Sequence, residues 1–311
     1  MALVSGIISP DVQAADKPAD TGMVLIPAGE FSMGSNKEEN IAMWRGANDL
    51  NPYGFNDRLY VDERPMHKVT LPAFLIDKYE VTNAQYREFV MATRHKVPYM
   101  WAKNGYNISS EFLEYLPLKD LRQIATDRFK LDMDVTTMTQ KALLAELQKI
   151  QDTRDSQPVT SVTWLDASNY CAWSGKRLPS EAEWEKAARG PQGFEYPWGN
   201  NWDAKKINTM SENDEAPYSA VGSYPGDLSA YGVYDMAANV SEWVDDWYDA
   251  YPGATSDSRF FGKTQRVVRG GMASSGHYDS ISVVFRAAKR NHLFPNTALI
   301  DLGFRCAKDV K

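Results

Sequence analysis

Cysteine is nearly absent from this 311-residue chain, which has only Cys171 and Cys306. Histidine is scarce too, and His67, His95, His277 and His292 have no metal-ligand spacing. No zinc signature, Gly-rich phosphate loop or Ser-His-Asp order occurs, so the common hydrolase and nucleotide-binding signatures are missing. No run approaches the roughly 18 apolar residues of a membrane span. No basic cluster stands out, and the net charge of −7 with a pI near 5.3 argues against a nucleic-acid partner. There is no tandem repeat and no low-complexity tract.

What remains has the composition of an ordinary globular protein, with 43% apolar and 24% charged residues. Nine Trp and sixteen Tyr outnumber twelve Phe. Such amphipathic aromatics suit loop-rich cores and binding grooves, because a buried ring can keep its polar tip satisfied.

Residues 1–22 combine a short apolar run, Met1 to Ile8, with the small-residue stretch Val12-Gln13-Ala14-Ala15. They read as the remnant of an export signal followed by a flexible start, with a plain disordered tail as the alternative. Met23 to Gly34 reads as two short strands around a Pro/Gly turn. Strand patterns recur at Lys68–Leu71 and Phe74–Val81. Thr82 is positioned to cap a helix from Asn83 to Ala92. A polar segment at about 35–61 and a block at 95–157 look like insertions. Thr137 to Gln151 predicts a helix with an apolar stripe of Ala142, Leu143, Leu144, Leu147 and Ile150. That stripe serves either its own domain or a partner. Trp164 to Ser174 reads as a further helix. Ser180 with Glu183 forms a capping box for another, ending at Arg189.

These pieces resemble one family. Ile26-Pro27-Ala28-Gly29-Glu30-Phe31, Asp62-Glu63-Arg64-Pro65, Tyr79-Glu80-Val81-Thr82-Asn83, Gly175-Lys176-Arg177-Leu178-Pro179-Ser180-Glu181, Tyr196-Pro197-Trp198-Gly199, Tyr231-Gly232-Val233-Tyr234-Asp235, Arg269-Gly270-Gly271 and Gly303-Phe304-Arg305 occur in order. The chain resembles the formylglycine-generating enzyme, or sulfatase-modifying factor, domain. The resemblance implies a single α+β domain over residues 23–311. It also implies a C-type-lectin-like fold with little regular secondary structure, short strands, a few helices and long ordered loops.

In the family's oxidising members, two cysteines follow the Arg-Gly-Gly motif, bind copper and activate oxygen. Here Met272 to Ser280 contains none, and the aligned positions fall near Ser274 or Ser275 and Asp279 or Ser280. A hydroxyl does not replace a soft thiolate on Cu(I), so copper is not expected. Cys171 and Cys306 match positions that are disulfide-linked in secreted relatives, with two separate buried thiols as the alternative. Asp235, Ala238, Val240 and Glu242 match a calcium loop of the family, the outer two through side chains and the inner two through carbonyls. The alternative is that Asp235 and Glu242 only cap the loop. A second calcium site would use Asn208, Thr209 and Asp214. His277, Asp279 and Arg286 fall where the resemblance places the groove and are the catalytic candidates, although a lone exposed histidine is the plainer reading.

The expected function is that of a periplasmic or secreted accessory or maturation factor for a redox enzyme or peptide product, without formylglycine-generating activity. Two alternatives stand beside it: a non-catalytic binding or structural subunit, and an oxidative enzyme with a non-cysteine site. A protein or peptide partner would use the groove or the 95–157 block.

Overall fold

Strands here are short, and the longest among the described residues has seven residues. A computed structural model describes residues 22–37, 60–208, 218–271 and 282–310. The expected pair at the start forms, as β1 (Met23–Ile26) and β2 (Gly29–Met33). The two do not pair with each other. β1 runs antiparallel to β4 (Phe74–Asp77), which also pairs with β9 (Ala307–Asp309), while β2 pairs with β3 (His67–Leu71). A third sheet has the order β7-β6-β5-β8, from β5 (Ser241–Trp247), β6 (Arg266–Arg269), β7 (Asn291–Leu293) and β8 (Leu302–Phe304). β8 lies parallel to β5, which brings the C-terminal Gly-Phe-Arg motif beside Ser241 to Trp243.

The helices start where the side chains can cap them. Thr82 begins α1 (Asn83–Thr93), accepting from Gln85 N while Gln85 returns the bond. Tyr86 and Phe89 of α1 are buried in the main core. Thr163 with Asp166 and Ser180 with Glu183 make the same reciprocal cap on α6 (Trp164–Trp173) and α7 (Glu181–Arg189).

Between α1 and α6 lies a helical block: α2 (Tyr99–Asn104), α3 (Ser110–Glu114), α4 (Leu118–Asp127) and α5 (Gln140–Asp155). It has a core of its own, in which Leu143 and Leu147 of α5 meet Leu113, Leu121 and Phe129. The α5 stripe therefore serves its own block, and Ala142 stays exposed. The sequence showed aromatics rather than helices at 99–127, because α2 and α3 are too short to carry a period.

Candidate functional site

β6 ends at Arg269, and the chain then turns through Gly270 at φ +76°. Gly271 follows under the Phe285 ring. A Cβ built on Gly271 would come within 2.4 Å of Phe285 Cδ1 and 3.0 Å of the Ala237 carbonyl. Only glycine fits that contact without displacing its neighbours. Phe285 stacks on Trp202 at 5.5 Å, and Trp198 stacks on Tyr196 at 5.2 Å, so aromatic rings line this end of the molecule.

Beneath the turn runs a buried charge network. Arg269 donates to Glu181 Oε1 (3.0 Å), Glu185 Oε2 (2.7 Å) and the Ala287 carbonyl (2.7 Å). Arg290 grips Glu181 with both Nε (2.7 Å) and Nη2 (2.9 Å) and reaches the Asp62 carbonyl. Burial opposes ionisation of Glu181, yet Arg290 and Arg269 outweigh it and hold the carboxyl below its ordinary range. These contacts tie α7 to the 60–64 and 286–290 segments and so fix the backbone around the Arg269-Gly270-Gly271 turn.

Arg286, the catalytic candidate within the described residues, belongs to this scaffold. Its side chain is buried, and it clamps the Glu63 carboxylate through both terminal nitrogens and bonds the Val283 carbonyl. Its guanidinium also lies 4.2 Å from the Tyr60 ring centre. It is a structural clamp in this arrangement, not a group facing solvent. His277 and Asp279 lie outside the described residues, as do Ser274, Ser275 and Ser280. The other histidines are occupied: His67 at the Pro65 carbonyl, His95 on Asp166, and His292 against Gln265 and Tyr248.

Both cysteines are joined. Cys171 on α6 is bonded to Cys306, between β8 and β9, with a Cα–Cα distance of 5.7 Å. The bridge sits in the main core beside Tyr170 and Phe304. Cys306 N also donates to Asp77 Oδ2, which fixes the chain where β9 starts.

The loop at 235–242 holds a second buried cluster. Glu242 is fully buried and accepts from Arg305 Nε (2.8 Å) and Nη2 (2.7 Å) and from Trp184 Nε1 (2.9 Å). Asp235 accepts from Gly222 N (2.6 Å), and Asn239 donates to Glu80 Oε1 (3.0 Å). Asp227 accepts from the backbone N–H groups of Ala237 and Ala238. Of the expected calcium ligands, Glu242 gives its carboxylate to Arg305, Asp235 accepts from Gly222 N, and Ala238 and Val240 are buried in the loop between them. Among the described residues, no group of three or more His, Cys, Asp or Glu side chains is placed to hold a metal ion. Burial, then the neighbouring Asp235 charge, pushes Asp227 up to about 8 and Glu80 well above the carboxylate range. Asn208 of the second expected calcium site bonds Ser219 and Tyr224, while Thr209 and Asp214 lie outside the described residues.

Sequence reasoning missed Glu80 and Asp227. Glu80 was legible only as part of a fold motif, and Asp227 follows Gly226 with no local pattern that marks it as buried.

The sulfatase-modifying factor enzyme 1-like domain matches residues 9–310. The chain belongs to that family. It is 33% identical to a formylglycine-generating enzyme from Thermomonospora curvata, over 93% of each chain. It is 32% identical to a Bos taurus protein named inactive C-alpha-formylglycine-generating enzyme 2, over 92% of this chain and 87% of that one. A Chlamydia trachomatis serine/threonine-protein kinase, Pkn1, is 35% identical over 95% of this chain, but the chain spans only 39% of that protein's length. The solved structure of PvdO from Pseudomonas aeruginosa matches with a TM-score of 0.58 and 27% identity, covering 93% of this chain and 94% of that one. The family membership accords with the α+β architecture and with the Arg-Gly-Gly turn that the network supports.

Proposed function

We propose that this chain is an exported accessory or maturation factor that engages a protein or peptide partner and does not oxidise cysteine to formylglycine. The observation that carries the reading is the Cys171–Cys306 bridge. It takes up both cysteines of the sequence, so no thiolate is left to act as nucleophile or soft Cu(I) ligand near Arg269-Gly270-Gly271. The same bridge supports an oxidising compartment, since such bonds persist mainly in exported proteins. A relative named as inactive is consistent with a family member that has lost the reaction.

The test pairs a chemical assay with a genetic one. Incubation of the folded protein with copper, oxygen and a sulfatase-type cysteine peptide is expected to return the peptide unchanged. Deletion of the gene is expected to deplete a matured redox cofactor or peptide product in the exported fraction. A converted peptide would sink the first half of the proposal, and an unchanged product pool the second.

A further inference from the structure

We propose that a chain of aromatic rings, Trp173, Tyr170, Tyr86, Trp101 and Tyr106, conducts one-electron oxidation from the surface to Tyr106, where it rests as a neutral tyrosyl radical. The inference goes beyond the proposed function and does not depend on it.

The rings form an unbroken path. Trp173 and Tyr170 lie on α6, Tyr86 on α1 and Trp101 on α2, with Tyr106 in the turn that follows. From Trp173 inward, the ring centres are 5.8, 5.5, 5.9 and 4.8 Å apart. All four separations are those of aromatic pairs in contact. Trp173 is partly exposed, while Tyr86, Trp101 and Tyr106 are buried. A surface indole is therefore joined to the interior by successive ring contacts, across which π orbitals overlap and electrons pass quickly.

The inner end of the path is equipped to trap the oxidising equivalent. Tyr106 Oη donates to Asp155 Oδ1, at the end of α5. Arg87 Nη1 donates to the same phenol oxygen (2.7 Å), and Arg87 holds Asp155 through both terminal nitrogens. Burial, then the hydrogen bond to Asp155, raises the Tyr106 phenol above its ordinary range, so it is protonated at rest. A phenol that loses an electron becomes a strong acid, and a carboxylate within hydrogen-bond reach takes its proton. Among the described residues, Tyr86 and Tyr170 have no carboxylate hydrogen-bonded to the hydroxyl, so these two rings bridge and Tyr106 traps.

The steps balance. A one-electron oxidant stronger than indole, such as a ruthenium(III) or high-valent metal complex, takes one electron from Trp173 and is reduced by one. The vacancy passes through Tyr170 and Tyr86 to Trp101. Tyr106 then gives one electron to Trp101 and one proton to Asp155 Oδ1, leaving a phenoxyl radical and a carboxylic acid. Arg87 keeps its hydrogen bond to the phenoxyl oxygen.

The test oxidises the full chain with photogenerated ruthenium(III) tris-bipyridine, followed by freeze-trapping and electron paramagnetic resonance. A Tyr99→Phe/Tyr115→Phe background removes two exposed tyrosines. A neutral tyrosyl signal is expected, with its high-field g value shifted by the Arg87 hydrogen bond. Tyr106→Phe should abolish the signal. Asp155→Asn keeps a hydrogen-bond acceptor but no base, and should slow radical formation by about 100-fold, as loss of a positioned proton acceptor implies. Trp173→Phe removes the entry point and should also slow it. Thermal melts show which variants are folded. Asp155 and Trp173 are both partly exposed, so their variants decide the matter even where Tyr106→Phe does not fold. An undiminished signal in folded Tyr106→Phe, or an unchanged rate in Asp155→Asn, would overturn the trap. An unchanged rate in Trp173→Phe would overturn the path.

Discussion

Asp227→Asn is expected to make the protein less sensitive to alkaline pH, and to stabilise it there. Asp227 is 1% exposed, and its carboxyl accepts from the N–H groups of Ala237 and Ala238. An asparagine oxygen can take both bonds, so the loop stays held. The difference lies in the proton. In the unfolded chain Asp227 ionises near pH 4. In the folded protein, burial and then the Asp235 charge raise it to about 8. Between those values the folded state binds the extra proton, so stability is fully present below about pH 4 and falls as pH rises toward 8. One unit of pH is worth about 1.4 kcal/mol for one group, so the interval from pH 5 to pH 8 carries about 3–4 kcal/mol. That is a large share of the roughly 5–15 kcal/mol that holds a typical domain together. Asparagine does not titrate and lacks this slope. The assay is urea unfolding of both proteins at half-unit steps from pH 5 to pH 8.5. The variant should gain on the parent steadily from pH 5, by about 1.4 kcal/mol per pH unit, and the difference should level off above about pH 8. Parallel curves, or a variant that is weaker at pH 8, would refute the reasoning.

Other perturbations follow from the same contacts. Removing the Cys171–Cys306 bridge, which spans 135 positions, should cost about 5 kcal/mol on the loop-entropy relation, measured by guanidinium unfolding of a Cys171→Ala/Cys306→Ala protein against the oxidised parent. Glu63→Gln leaves Arg286 buried without its full counter-charge and should cost about 3–5 kcal/mol by thermal or denaturant unfolding. A loss below 1 kcal/mol would show that the Arg286 clamp is not structural. Gly271→Ala drives a methyl into Phe285 and the Ala237 carbonyl and should cost about 1–3 kcal/mol, with a changed tryptophan emission if Trp202 moves with the ring.

Much of the fold was legible because it is written in local chemistry. Thr82, Thr163 and Ser180 are caps that name their helices, and the resemblance of Arg269-Gly270-Gly271 and Gly303-Phe304-Arg305 to family motifs marks the strands that build the third sheet. The pairing of β1 with β4 rather than β2 was not legible, since a Pro/Gly turn at Pro27-Ala28 fixes a bend but not a partner. The candidate site was harder to read. Arg286 sits where a groove residue is expected, yet Glu63, 223 positions away, takes its guanidinium. Glu242 reads in sequence as a calcium ligand, and its ion pair with Arg305, which spans 63 positions, has no mark there. Asp227 and Glu80 are ordinary carboxylates in sequence, and only burial near the Asp235 charge raises them. Long-range pairing of charges has no signature in a single chain.

The central claim is that no thiol remains for copper-dependent oxidation. Thiol titration in denaturant without reductant measures it directly, alongside incubation with copper and a sulfatase-type cysteine peptide. The account predicts no titratable thiol before reduction, two after it, and an unchanged peptide. Two thiols before reduction, together with formylglycine in the peptide, would contradict it.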